Sequence, residues 1–224
     1  MKNKYASFPL TTAILALFCF LFIAFLMSTV VQPPWGRTVV LLIPALVLGG
    51  IGLLALKGML DSKKTAVLTV VLSIIFLLAS ICYTFLLFIW AATTDTTDVK
   101  YYPRAYAHIE GGNGVKGAFP QVIPADAKDI SFHYNPAFLQ GGEVFELSYT
   151  VTEEKMSEWT VRLEGAAEWI GSNEEWHHTN NWSFYDTDSI RYHLYWDGGF
   201  NHGEMCYVLI DQSICRISFY YEDW

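Results

Sequence analysis

TAVLTVVLSIIFLLASICYTFLLFIWAA, residues 65–92, runs for twenty-eight positions without a charged side chain. At 1.5 Å per helical residue it is longer than the ~30 Å hydrocarbon core of a bilayer, so it spans with some tilt. A soluble helix of this length keeps a polar face, and this one has none. Its small and hydroxyl residues, Thr65, Thr69, Ser73, Ser80 and Thr84, fall four and seven apart. That spacing gathers them near one helical face, where a neighbouring helix can approach closely.

Two more stretches read the same way. Residues 10–31 hold twenty-two uncharged positions and residues 38–56 hold nineteen. The first is longer than a typical signal-peptide core, and no small-x-small site follows it, so it reads as an uncleaved anchor. In the second, Ala45 and Gly49 form a small-xxx-small pair that suits close helix packing or an oligomer. None of the three holds Asp, Glu, Lys, Arg or His. Transport paths and proton relays need such groups inside the membrane, and here they are missing.

The charges divide the chain. Residues 1–94 carry six Lys/Arg and one acid, a formal +5; residues 95–224 carry eight and twenty-one, a formal −13. Basic residues favour cytoplasmic loops. Lys2 and Lys4 precede the first stretch, and Lys57, Lys63 and Lys64 separate the second from the third; the intervening loop has only Arg37. The expected topology is multi-pass in the plasma membrane. The N-terminus is cytoplasmic, the C-terminal part is extracytoplasmic, and Trp35 and Trp90 lie at the outer boundary. An acidic outer part repels phosphate backbones and anionic head groups, which argues against nucleic acid as a partner.

Residues 95–117 read as a linker, from their Thr/Asp cluster, Tyr101-Tyr102-Pro103 and four glycines. Residues 118–224 read as an α+β domain. Ile130, Phe132 and Tyr134 alternate with polar residues, as do Phe145, Leu147, Tyr149 and Val151, which predicts two strands. Met156, Trp159, Leu163, Ala166 and Ile170 then step by threes and fours, predicting one helix capped by Thr152 and stopped at Gly171. Further strands are expected over 190–196, 205–210 and 214–221. The whole is a three-helix transmembrane anchor (1–94) plus an antiparallel sheet of about five strands with one amphipathic helix.

The motifs Phe119-Pro120-x-x-Ile123-Pro124, Phe132-x-Tyr134 and Leu139-Gln140-Gly141-Gly142, and the C-terminal hairpin ending in Trp224, carry a resemblance. Over residues 119–224 the chain resembles extracytoplasmic domains of Gram-positive bacterial membrane proteins and lipoproteins. The resemblance implies a bacterial cell-envelope location and no particular activity.

Chemistry-bearing motifs are sparse. There is no His-Glu-x-x-His, Cys-x-x-Cys, Gly-x-Ser-x-Gly or phosphate loop, so no catalytic residue, metal or cofactor is expected. A two-residue turn at Asp211-Gln212 would set Cys206 and Cys215 diagonally on one face at ~7–8 Å. That is the limit for a disulfide, and pairing stays open. Between Trp176 and His202 large rings mix with amides, acids and histidines. Rings beside such groups can stack on and hydrogen-bond to sugars or peptides. The residues singled out for ligand binding are Trp176, His177, Asn181, Trp182, Asp186, Trp196 and His202. The expected function is non-enzymatic: an envelope domain that binds a glycan, peptide or protein. The alternative is an outer-face hydrolase using His and carboxylates of 176–204.

Overall fold

A computed structural model describes residues 5–109, 118–138, 142–172, 175, 189–198 and 203–224. The chain forms two compact units, Met1–Ala91 and Ala92–Trp224.

The first unit holds three helices long and apolar enough to cross a membrane, Ser7–Thr29, Trp35–Leu56 and Ser62–Thr93. The first is α1. The second comprises α2 (Trp35–Thr38), a 3-10 turn (Val39–Leu42) and α3 (Ile43–Leu56). Pro44 opens α3, where its missing N–H leaves no hydrogen bond unmade. The third is α4. α1 and α3 pack backbone to backbone: a Cβ at Gly49 would lie 3.8 Å from that of Ala13, and one at Gly52 would overlap Leu10. The close approach thus uses Gly49 and Gly52. Thr65 and Thr69 of α4 are fully buried. Their hydroxyls donate to the Asp61 and Thr65 carbonyls at 2.8 and 2.7 Å. The hydroxyl face of α4 therefore points into the bundle, as its spacing predicts.

The second unit is a six-stranded antiparallel sheet, order β1-β2-β6-β5-β4-β3. The strands are β1 (Lys128–Asn135), β2 (Val144–Thr150), β3 (Trp169–Ser172), β4 (Ile190–Asp197), β5 (Glu204–Asp211) and β6 (Arg216–Asp223). One face, rich in Phe132, Phe145, Leu147, Val208 and Phe219, forms the core. α6 (Glu153–Glu164) covers it with Met156, Trp159 and Leu163; the Trp159 ring lies 5.1 Å from Phe219.

Three sequence expectations need correction. The sheet has six strands, not five. Gly165 ends α6 nearly two turns early, so Ala166 is exposed and Ile170, 45% exposed, lies in β3. The i+3/i+4 spacing continued past the helix by coincidence. Second, residues 95–117 are not simply a linker. They contain a 3-10 turn (Val99–Tyr101) and α5 (Tyr102–Ile109), whose Tyr102, Ala105, Tyr106 and Ile109 are buried. Tyr102 packs 5.6 and 5.5 Å from Phe132 and Phe145, and its hydroxyl donates to the Pro120 carbonyl. Thr96 pairs with Tyr134 on the β1 edge. The compact unit thus starts near residue 92, not 118.

Third, Cys206 and Cys215 are not set diagonally on one face of the hairpin, and both are free. The β5–β6 turn has four residues, not two: Asp211 sits opposite Arg216, and Cys206 opposite Tyr221. Cys215 lies in the turn with φ of 51°, five rungs or roughly 17 Å from Cys206. A disulfide needs Cα atoms within ~7 Å.

Thr152 caps α6 as expected, its side chain accepting from the Lys155 N–H. Thr152→Ala is expected to cost about 1 kcal/mol and Thr152→Asn to be near neutral, read from urea midpoints of the full chain in detergent. Equal midpoints for Thr152→Ala and the parent would mean the cap contributes nothing.

Candidate functional site

The sheet face opposite α6 carries a second cluster, built by alternation along β4, β5 and β6. Arg191 and His193 project to this face beside Met205, Tyr207, Leu209 and Tyr220. Arg191 is 1% exposed and His193 2%. The guanidinium lies 3.5 Å from the Tyr207 ring centroid, in cation–π contact. Arg191 Nε donates to His193 Nε2 at 2.7 Å, and Nη2 lies 3.6 Å from the Met205 sulfur. Tyr207 stacks on Tyr220 with 4.8 Å between centroids.

Tryptophans surround this pair. Trp169 lies 5.8 Å from His193, Trp196 lies 6.3 Å from it, and Trp224 lies 5.7 Å from Trp196. Plain alternation would put Trp196 on the core face with Ile190 and Tyr192. A register shift between His193 and Tyr195 adds one residue to β4, so Trp196 pairs with Met205 and joins the opposite face. Gly203 makes room for the last indole: a Cβ there would lie 2.3 Å from the Trp224 ring. The two backbones exchange hydrogen bonds at 3.0 and 2.9 Å.

Burial, reinforced by the Arg191 charge, pushes the His193 imidazole down to about 3. It is therefore neutral at physiological pH, with Nε2 accepting from Arg191, and it is a poor general base. Three further perturbed groups lie at one end of the sheet. Burial raises Glu143, which accepts the Tyr134 hydroxyl at 2.6 Å. Burial and then the Glu146 charge raise Glu222. Burial raises the Tyr221 phenol, which donates to Glu204 at 2.8 Å. The Cys206 thiol, wholly buried, is pushed up to about 12 and is not a nucleophile. Among the described residues, no group of three or more His, Cys, Asp or Glu is placed to hold a metal ion.

Of the residues singled out from sequence, Trp196 belongs to this cluster. Trp176, His177, Asn181, Trp182, Asp186 and His202 lie outside the described residues. Sequence reasoning missed Arg191, Trp169, Tyr207 and Trp224 as members of this cluster. The signal was available in part, since Arg191 and His193 alternate within a predicted strand.

Fold and site define a two-part chain. One part is a bundle of helices able to cross a membrane. The other is a helix-backed antiparallel sheet whose second face gathers indoles and phenols around a buried arginine. No family model matches the chain, and no curated protein or solved structure matches it.

Proposed function

We propose that this chain is a multi-pass protein of a bacterial cell membrane whose outer domain binds an envelope ligand, a glycan or a peptide. The observation that carries the reading is the indole cluster. Trp196 is 39% exposed and rests on half-buried Trp224 beside the buried Arg191–His193 pair. A ring held by neighbours on one side and exposed on the other stacks on a ligand at little entropic cost. His193 is held neutral, which favours binding over catalysis at this face.

The N-terminus is cytoplasmic and residues 95–224 are outside. The charge distribution supports this orientation. The Arg37 guanidinium lies 4.2 Å from the Trp90 ring, and the Tyr83 hydroxyl donates to the Arg37 carbonyl at 3.0 Å. The single basic residue of the first loop therefore meets the end of α4 at one end of the bundle. Lys57, Lys63 and Lys64 flank the α3–α4 loop at the other.

Two measurements test the reading. Protease added to intact protoplasts should remove a C-terminal tag and spare one inserted at Asp61; the reverse pattern overturns the topology. The full chain in detergent, screened against envelope glycans and peptides, should give a hit that Trp196→Ala weakens about tenfold, as loss of an aromatic anchor does. A hit unaffected by that change and mapped to another face would sink the binding site.

A further inference from the structure

α1 and α3 are in close backbone contact, whereas the α4 backbone stands further from both. Between the three helices lies a cavity of about 480 Å³. Its long walls are α1 from Thr12 to Ile23 and α4 from Ser73 to Thr84, with Leu41, Pro44 and Leu48 closing one side. Each long wall covers eleven residue steps, or roughly 16 Å of helix axis. The cavity is therefore a slot that runs parallel to the helices. A helix segment of that length, ~10 Å across, fills roughly 1,200 Å³, so a fourth helix does not fit inside.

The walls are apolar apart from a few hydroxyls and Cys19. The Thr12 hydroxyl already donates to the Phe8 carbonyl at 2.9 Å. Water is a poor filling, because it needs two to four polar partners and Ser73 Oγ is the buried, unpartnered oxygen that the described wall offers. An empty slot would forfeit the dispersion contacts of its lining. The mouth is rimmed by Leu15, Leu77 and Ile81, about 60% exposed each. These belong to the apolar surface that the helices would present to lipid, so slot and lipid-facing surface are continuous.

We infer that the bundle holds one unbranched hydrocarbon chain of a membrane lipid in this slot, entering sideways past Leu15, Leu77 and Ile81. The inference rests on the helices being inserted in a bilayer. The slot's length follows the helix axes, which is the direction of lipid chains around an inserted bundle. Its volume lies within the ~300–1,000 Å³ of small-molecule sites.

The test uses the full chain in phosphatidylglycerol vesicles containing a phospholipid with a diazirine at mid-chain. Irradiation should place adducts on the slot residues Cys19 and Phe76, and also on Phe22, which is exposed on α1 and lies outside the slot. Filling the slot with Ala16→Trp and Ser80→Phe together should lower the slot adducts about tenfold and leave Phe22 labelling unchanged. Absence of label at Phe22 overturns membrane insertion itself. Phe22 labelled, with slot residues unlabelled or unaffected by filling, overturns the slot alone. If the double variant does not fold, lipid extraction from the detergent-purified parent decides: about one retained phospholipid per chain is expected, and none overturns the inference. A dimer that forms on oxidation of a Leu77→Cys variant in the vesicles, and not with the parent and its exposed Cys19 and Cys82, would also overturn it, by putting a second copy across the mouth.

Discussion

Phe219→Ala is expected to destabilise the C-terminal unit by about 3–5 kcal/mol, the range for a large aromatic removed from a packed core. Phe219 is fully buried in β6, a central strand. Its ring meets Trp159 of α6 at 5.1 Å, Phe119 at 5.4 Å and Tyr149 of β2 at 5.7 Å. One side chain thus ties the helix, the segment before β1 and two strands together. Removing it leaves a hole that no single element can close. Phe219→Leu refills most of the volume and should cost markedly less. Tryptophan emission during urea titration of the full chain in detergent reads both, because Trp159 of α6 becomes fully solvated only when this unit opens. A loss for Phe219→Ala no larger than for Phe219→Leu would mean the core lies elsewhere. A loss of 3–5 kcal/mol is a large share of the ~5–15 kcal/mol that holds a typical domain. The alanine variant should therefore also accumulate poorly in cells.

The three apolar helices are legible in the sequence because they depend only on local composition. A run of uncharged residues has no other stable use, and the observed helices overlap the expected spans closely. The strands of the C-terminal unit are legible for a related reason: Phe145, Leu147 and Tyr149 alternate cleanly, and one side of β2 is buried. What failed were features set by non-local choices. α5 has Tyr102, Ala105, Tyr106 and Ile109 at helical spacing, yet the surrounding glycines and the Thr/Asp cluster made the segment read as a linker. It becomes core because Phe132 and Phe145, far away in sequence, supply the surface that Tyr102 packs on. β3 was hidden because Ile170 falls in phase with α6; only pairing of Trp169–Ser172 with β4 separates strand from helix. Trp196 was singled out, but its face depends on a single added residue in β4. The partnership of Arg191 with His193 and Tyr207 depends on register, which alternation alone does not fix.

Acidification should expose the buried histidine. His193 sits near 3 in the folded chain, against an ordinary value of ~6.5 in the unfolded chain. Above ~6.5 neither state holds the proton, and His193 contributes no pH dependence. Between ~6.5 and about 3 the unfolded chain binds it and the folded chain does not, so stability falls with pH by up to ~1.4 kcal/mol per unit. The full loss at pH 3 is at most about 5 kcal/mol. Glu143 and Glu222 act in the opposite sense. Burial raises both, so the folded chain takes up their protons first and gains stability as pH falls through their range. The raw pH profile therefore mixes opposing slopes, and the informative quantity is the difference between the parent and a variant without the imidazole. His193→Gln keeps an acceptor for the Arg191 Nε–H, now met at 2.7 Å, and does not titrate. It should cost stability at pH 7 through imperfect fit. Between pH 7 and pH 4.5 the parent should lose roughly 2–3 kcal/mol more than the variant, read from urea midpoints of each full chain in detergent. Parallel profiles would mean that the imidazole is not held neutral against the buried guanidinium. The cluster around Arg191 would then be wetter and looser than its distances imply, and the rigid backing behind Trp196, on which the proposed binding face depends, would go with it.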